Sequence, residues 1–228
     1  MAIILQIETA TQVCSAALSV NGKTIGLKEL AAQNIHAGSL TLFIEEVMSN
    51  AGVAYADLDA VAVSSGPGSY TGLRIGVSTA KGICFAIEKP LIAVSTLKMM
   101  AKGFLDTAEG YTGLICPMID ARRMEVFTGL YDGLLQEVLP VSAKIIDEFS
   151  YQEELAAQQI TFIGDGAMKC RDSIISINAQ FSALNFNSAV HMSALADEAF
   201  TAGHFEDVAY FEPFYLKDFV ITPSRKKV

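Results

Sequence analysis

The sequence predicts a two-lobed α/β fold made by duplication. Apolar runs of strand length alternate with stretches of helical period. Two of those runs end on an acid, at Ile7-Glu8 and at Ile119-Asp120. A second strand then leads to a turn 13 residues beyond Glu8, at Asn21, and 12 residues beyond Asp120, at Asp132.

Taken in order, residues 3–7 form a short apolar strand that stops at Glu8, and Val13 to Val20 forms the next, ending at Asn21-Gly22. Asn-Gly between apolar runs is a strong short-range hairpin signal, so Lys23 to Leu30 reads as the return strand. Leu40, Phe43, Ile44, Val47 and Met48 then recur at the spacing of one helix face. Ala60 to Ser64 is a further strand that runs into SGPGSYTGLRIG, residues 65–76. The helix after it ends near Pro90, Leu91 to Val94 is a strand, and 96–106 is a helix. The order then restarts: strand 114–119, strand 124–131, turn Asp132-Gly133, strand 134–141, helix 148–158, strand 160–163, turn Gly164-Asp-Gly166 and helix 188–202. An N-terminal lobe of 1–103 and a C-terminal lobe of 104–206 follow, with 207–228 expected to pack back on the first.

The closest architecture is the duplicated actin-like ATPase fold (ASKHA, ribonuclease H-like). There the acids ending the two first strands face each other across a cleft and organise metal and nucleotide phosphates. Glu8 and Asp120 take those positions, Thr9 offers a hydroxyl beside the first, and Gly164 and Gly166 fall where a glycine turn admits an adenosine. Glu8 is longer than the aspartate usual there, and no lysine accompanies its turn. The five residues therefore read as a vestigial nucleotide cleft, with turn stabilisation as the competing role of the acid and hydroxyls.

The segment 65–76 matches neither a P-loop, which needs Gly-Lys followed by Ser or Thr, nor a dinucleotide fingerprint, since its glycines read G-x-G-x-x-x-G. Ser69 lacks the surrounding G-x-S-x-G of a nucleophile elbow. It reads instead as a helix N-cap. Gly72, Gly76 and Ala80 recur every four residues along the helix, a small-residue stripe that packs either on its own sheet or between that sheet and a partner. The three histidines, His36, His191 and His204, form no i, i+3 or i, i+4 pair, so no metal site is assigned. Cys14, Cys84, Cys116 and Cys170 lie far apart and read as buried free thiols. A net charge of −9 argues against independent nucleic-acid binding, the only basic cluster being Arg225-Lys-Lys227. No stretch has the length of a membrane span, residues 1–20 lack the basic n-region and cleavage site of a signal peptide, and the expected setting is cytoplasmic. With 51% apolar and 18% charged residues, a buried partner interface is expected.

Ile7-Glu-Thr-Ala-Thr11, Gly66-Pro-Gly-Ser-Tyr-Thr-Gly-Leu-Arg-Ile-Gly76, Val94-Ser-Thr-Leu97, Ile119-Asp-Ala-Arg122 and the tail Glu212-Pro-Phe-Tyr-Leu-Lys217 together resemble the TsaB (YeaZ) family. The resemblance implies a non-catalytic subunit of the bacterial machinery that places a threonylcarbamoyl group on N6 of adenosine 37 in tRNA. It implies a TsaD-type catalytic partner with a two-histidine metal motif in its first helix, where this chain has only His36, followed by Leu40. It further implies a TsaE-type ATPase, a homodimer when alone, contact with tRNA only through the complex, and no cofactor on this chain, ATP and metal being held by partner subunits. Family members pair through their first two helices, which makes His36, Leu40, Phe43, Ile44, Val47, Tyr70, Gly72, Leu73, Gly76 and Val77 the interface candidates. Two rivals remain open: an active enzyme of the same fold, either a Mg-ATP-dependent kinase or a peptidase, and a homodimeric binding module with no tRNA role.

Overall fold

The structure, a computed structural model, is described for residues 1–32 and 35–217. Arg225-Lys-Lys227 and the rest of 218–228 lie outside the described residues. The duplication is visible strand by strand. In the first sheet β1 (Ile3–Glu8) pairs antiparallel with β2 (Val13–Val20) and parallel with β4 (Ala60–Gly66). The edges are β3 (Lys23–Ala31) and β5 (Leu91–Ser95), giving the order β3-β2-β1-β4-β5. The second sheet repeats it with β6 (Leu114–Asp120), β7 (Glu125–Tyr131), β8 (Glu137–Ile145), β9 (Ile160–Ile163) and β10 (Ala179–Phe181), in the order β8-β7-β6-β9-β10. β1 thus matches β6, and Glu8 and Asp120 each end a central strand.

Alternation along the central strands decides which layer each residue joins, because successive strand side chains point to opposite faces. Leu5 and Ile7 of β1 join Cys14, Ala16 and Leu18 of β2 under α1 (His36–Ala51) and α2 (Tyr70–Ile87). Ile4 faces the other way, toward α3 (Thr96–Thr107) and α5 (Ser193–Ala202), where Ile115 and Ile119 of β6 also pack. These two helices therefore fill the space between the sheets. Leu114, Cys116 and Met118 line the outer face of the second sheet, together with Leu155 of α4 (Gln152–Ala157). All four cysteines are buried and free.

Ser69 caps α2, its hydroxyl accepting from the Gly72 N–H at 3.3 Å. Replacing a capping serine by alanine costs about 1 kcal/mol, so Ser69→Ala is expected to lower stability by about that amount in urea denaturation. Three elements differ from the sequence reading. The strand expected from Leu134 begins at Glu137, because Asp132 Oδ1 accepts from the N–H groups of Leu134 and Gln136 (2.8 and 2.9 Å) and lengthens the turn, leaving Leu135 at φ 60°. The helix expected over 148–158 shortens to α4, because Asp147 and Ser150 close a hydrogen-bonded turn and Tyr151 takes φ 63°. The helix expected from Ser188 opens as a 3-10 turn, Ala189–Met192, before α5. β10, three residues at a sheet edge, has no sequence signal of its own.

The chain after α5 runs back along the first lobe. Glu206 N–H bonds Leu91 O at 2.9 Å, Lys81 Nζ donates to the carbonyls of Ala209 and Phe211, and Phe214 N–H bonds Ser65 O at 2.7 Å. Val208 and Phe211 pack against the α1/α2 core.

Candidate functional site

The β1–β2 turn, where an actin-like protein would hold phosphate, is occupied here by the chain's own packing. Glu8 is fully buried; one carboxylate oxygen accepts from the Ala10 N–H at 2.5 Å, and Oε2 has no hydrogen-bond partner. Burial is the main influence and pushes its carboxyl up to about 7, against the opposing pull of the Ala10 N–H and the Ser64 hydroxyl. Thr9 Oγ1 donates to Gly72 O at 2.8 Å, and Ala10 O accepts from the Ser69 N–H at 2.6 Å. A side chain at Gly68 would strike Ala10, one at Gly72 would strike the Thr9 carbonyl, and one at Gly76 would strike the Thr9 hydroxyl. The glycines of residues 66–76 thus let α2 close onto the turn.

Asp120 occupies different surroundings. Its side chain is 48% exposed, and Lys169 Nζ reaches Oδ1 at 2.5 Å and the Glu125 carbonyl at 2.7 Å. Partial burial works upward on this carboxyl, but Lys169 and the Arg122 N–H outweigh it and hold it below the ordinary aspartate value. Gly164 and Gly166 are also committed to the chain itself. Gly164, at φ 95°, lies against Met118, the Gly166 N–H bonds Met118 O at 3.0 Å, and Asp165 Oδ1 accepts from the Asp120 N–H at 2.9 Å. The turn therefore closes on the end of β6. Glu8 is thus sealed within the first lobe, while Asp120, at the matching end of β6, is exposed and paired with Lys169. Lys169 was not singled out in the sequence, where nothing in its surroundings ties it to an acid 49 positions earlier.

Among the described residues no group of three or more His, Cys, Asp or Glu could hold a metal ion. His36 is the first residue of α1; it is buried, and its Nε2 lies 3.1 Å from Val13 O. No helix among the described residues is long and apolar enough to cross a membrane.

Nine of the ten positions named as interface candidates are buried in this lobe. Leu40, Phe43, Ile44, Val47, Leu73 and Val77 lie against the first sheet, Gly72 and Gly76 lie against Thr9, and His36 lies beside Val13. The apolar period that marks these positions is also the period with which a helix covers its own sheet. Only Tyr70 is partly exposed. The outward side of the two helices is an open groove of about 550 Å³ lined by Ala37, Tyr70, Thr71, Arg74, Ile75, Ser78 and Thr79. At one end the Tyr215 ring lies 4.7 Å from that of Tyr70, and Arg74 lies over the other part of the same cluster, donating to the Tyr70 hydroxyl at 3.2 Å.

Fold and site together define a duplicated actin-like protein whose first-strand turn is filled by the adjoining helix. The family model for TsaD, tRNA N6-adenosine threonylcarbamoyltransferase, matches residues 23–220. The tRNA threonylcarbamoyladenosine biosynthesis protein TsaB of Escherichia coli is 30% identical over 225 residues, 94% of either chain. The structure of YeaZ from Pseudomonas aeruginosa superimposes with a TM-score of 0.82 at 26% identity, covering 95% of this chain and all of that one. The activator of the 2-hydroxyisocaproyl-CoA dehydratase from Clostridium difficile shares the fold alone, with a TM-score of 0.51 at 9% identity over 89% of this chain and 96% of that one. The chain belongs to the TsaB (YeaZ) family.

Proposed function

We propose that this chain is a non-catalytic scaffold subunit of the machinery that forms N6-threonylcarbamoyladenosine at position 37 of tRNA. It pairs with and supports a TsaD-type transferase, which carries the reaction. A TsaE-type ATPase joins the pair, the chain forms a homodimer when alone, and tRNA is met through the complex in the cytoplasm. The names of its relatives support the tRNA role. The observation that carries the scaffold reading is the closed β1–β2 turn: Thr9 and Ala10 fill the start of α2, and Glu8 is sealed beneath them. A buried carboxyl with an unpaired oxygen and a helix start capped by its own chain offer little to a nucleotide phosphate.

Co-expression with the TsaD-type protein of the same organism is expected to give a stable heterodimer. Failure to form one would overturn the reading in favour of a self-contained binding module. Calorimetry of the purified chain with Mg-ATP separates the enzyme rival. No heat of binding is expected at micromolar nucleotide, whereas micromolar affinity lost in Asp120→Ala and Lys169→Ala would establish a working cleft.

A further inference from the structure

One row of side chains crosses the first sheet on the face turned toward the second lobe. Strand register places Glu29 of β3 beside Ser15 of β2 and Ser15 beside Glu8 of β1, with Ser64 of β4 following Val63, the partner of Ile7. Glu8 is the member of the row that has no exposure and an oxygen without a partner. It is also the member whose backbone neighbours key into α2, through Thr9 Oγ1 to Gly72 O and Ala10 O from the Ser69 N–H. We propose that Glu8 is a proton-operated latch: neutral, it holds the β1–β2 turn closed against the first turn of α2, and ionised, it releases that turn to water.

Among the described residues, the groups that face Glu8 bring no compensating cation. β2 brings Cys14, whose thiol burial and the Glu8 charge push up to about 11, and Ser15. β3 brings Glu29, held by the hydroxyls of Ser15 and Ser188, and β4 brings Ser64. α2 presents Gly72 and Gly76 to the turn, its Arg74 being exposed on the groove side and its Lys81 engaged by the tail. The 3-10 turn before α5 brings the Ala189 N–H, donated to Ser15, and His191, which burial pushes down and whose charge neighbours are Asp106, Glu29 and Lys102. An ionised Glu8 therefore keeps the Ala10 N–H and the pull of the Ser64 hydroxyl, while its Oε2 has no hydrogen-bond partner. Opening the turn supplies water to that oxygen. Tyr70 and Thr71 ride on the first turn of α2 and Arg74 on the next, so one rim of the groove moves with the latch.

The sign follows from the two proton affinities. The closed-state carboxyl sits at about 7, above its ordinary 4.5. The stabilisation of the closed turn is whole below the lower value, is lost as pH rises toward the upper one, and is flat beyond it.

Hydrogen exchange of the full chain tests this at the amides of Ser69 and Gly72, read as the ratio of wild type to Glu8→Gln at each pH so that intrinsic exchange cancels. Between pH 5.5 and 8 the wild-type opening constant should rise by roughly 25-fold relative to Glu8→Gln and level off above pH 7.5. Ser64→Ala, which removes a hydroxyl donor, should carry the rise to higher pH, and because it is compared directly with wild type at each pH it keeps the test alive if Glu8→Gln does not fold. A ratio that stays constant with pH, or an onset unmoved in Ser64→Ala, would overturn the latch. A pH-dependent ratio confined to amides outside residues 8–76 would overturn its coupling to α2.

Discussion

Gly72→Ala is expected to destabilise the chain by about 2–3 kcal/mol, while Gly82→Ala, ten residues along the same helix, stabilises it by about 0.5–1 kcal/mol. A methyl at Gly72 would meet the carbonyl oxygen of Thr9 at a separation that no real contact adopts, and that oxygen belongs to backbone fixed by β1. A methyl at Gly82 meets nothing within 4 Å, so only the helix-propensity gain remains. Gly76→Ala should fall between them, because the obstacle there is the rotatable hydroxyl of Thr9, which can turn away at the cost of its bond to Gly72 O. Thermal denaturation reads the ranking directly. For a chain of this size each kcal/mol moves the midpoint by roughly 2–4 °C. Equal effects at Gly72 and Gly82 would show that the stripe is ordinary helix and that the turn does not press on it.

The same contacts change what Gly76→Arg would report. From the sequence the small-residue stripe could face its own sheet or a partner, and an arginine in it would then test assembly. With Thr9 seated against Gly76, the substitution breaks the lobe before any partner is consulted.

The architecture was legible because its carriers are local. The acid-to-turn spacing of the two halves, the Asn21-Gly22 hairpin and the apolar period of α1 are each set by a few adjacent residues, and the strand orders repeat as that spacing predicts. The Ser69 cap was legible for the same reason: it is one hydroxyl three residues from its donor. The site was less legible because its meaning depends on what lies across from each residue. Glu8 reads the same in sequence whether it lines an open cleft or is sealed inside the chain, and Ser15, its neighbour on β2, receives its covering donor from Ala189, 174 positions away. Periodicity likewise locates a buried helix face without saying whether a sheet or a second protein buries it. Leu40, Ile44 and Val77 carry that period and pack against this chain's own first sheet.

Ser78→Arg and Ala37→Arg are expected to weaken pairing with the TsaD-type partner on the order of 100-fold while changing stability by no more than about 0.5 kcal/mol. Both positions are exposed and line the groove between α1 and α2, so a long charged side chain costs the free chain little. If the partner docks in this groove, the added side chain fills it and must be desolvated there, which removes shape complementarity and costs the burial of a charge. Val77→Ala supplies the opposite case. Its side chain is 4% exposed and packs in the α1/α2 core, so its loss should lower stability by about 1–2 kcal/mol and leave the affinity of the folded fraction within about threefold of wild type. Surface plasmon resonance against the immobilised partner, with urea denaturation of each variant in parallel, separates the two effects. If Ser78→Arg and Ala37→Arg bind as wild type does, the docking face lies elsewhere on the chain. If Val77→Ala alone loses binding, docking depends on the internal packing of the two helices and not on their outward side.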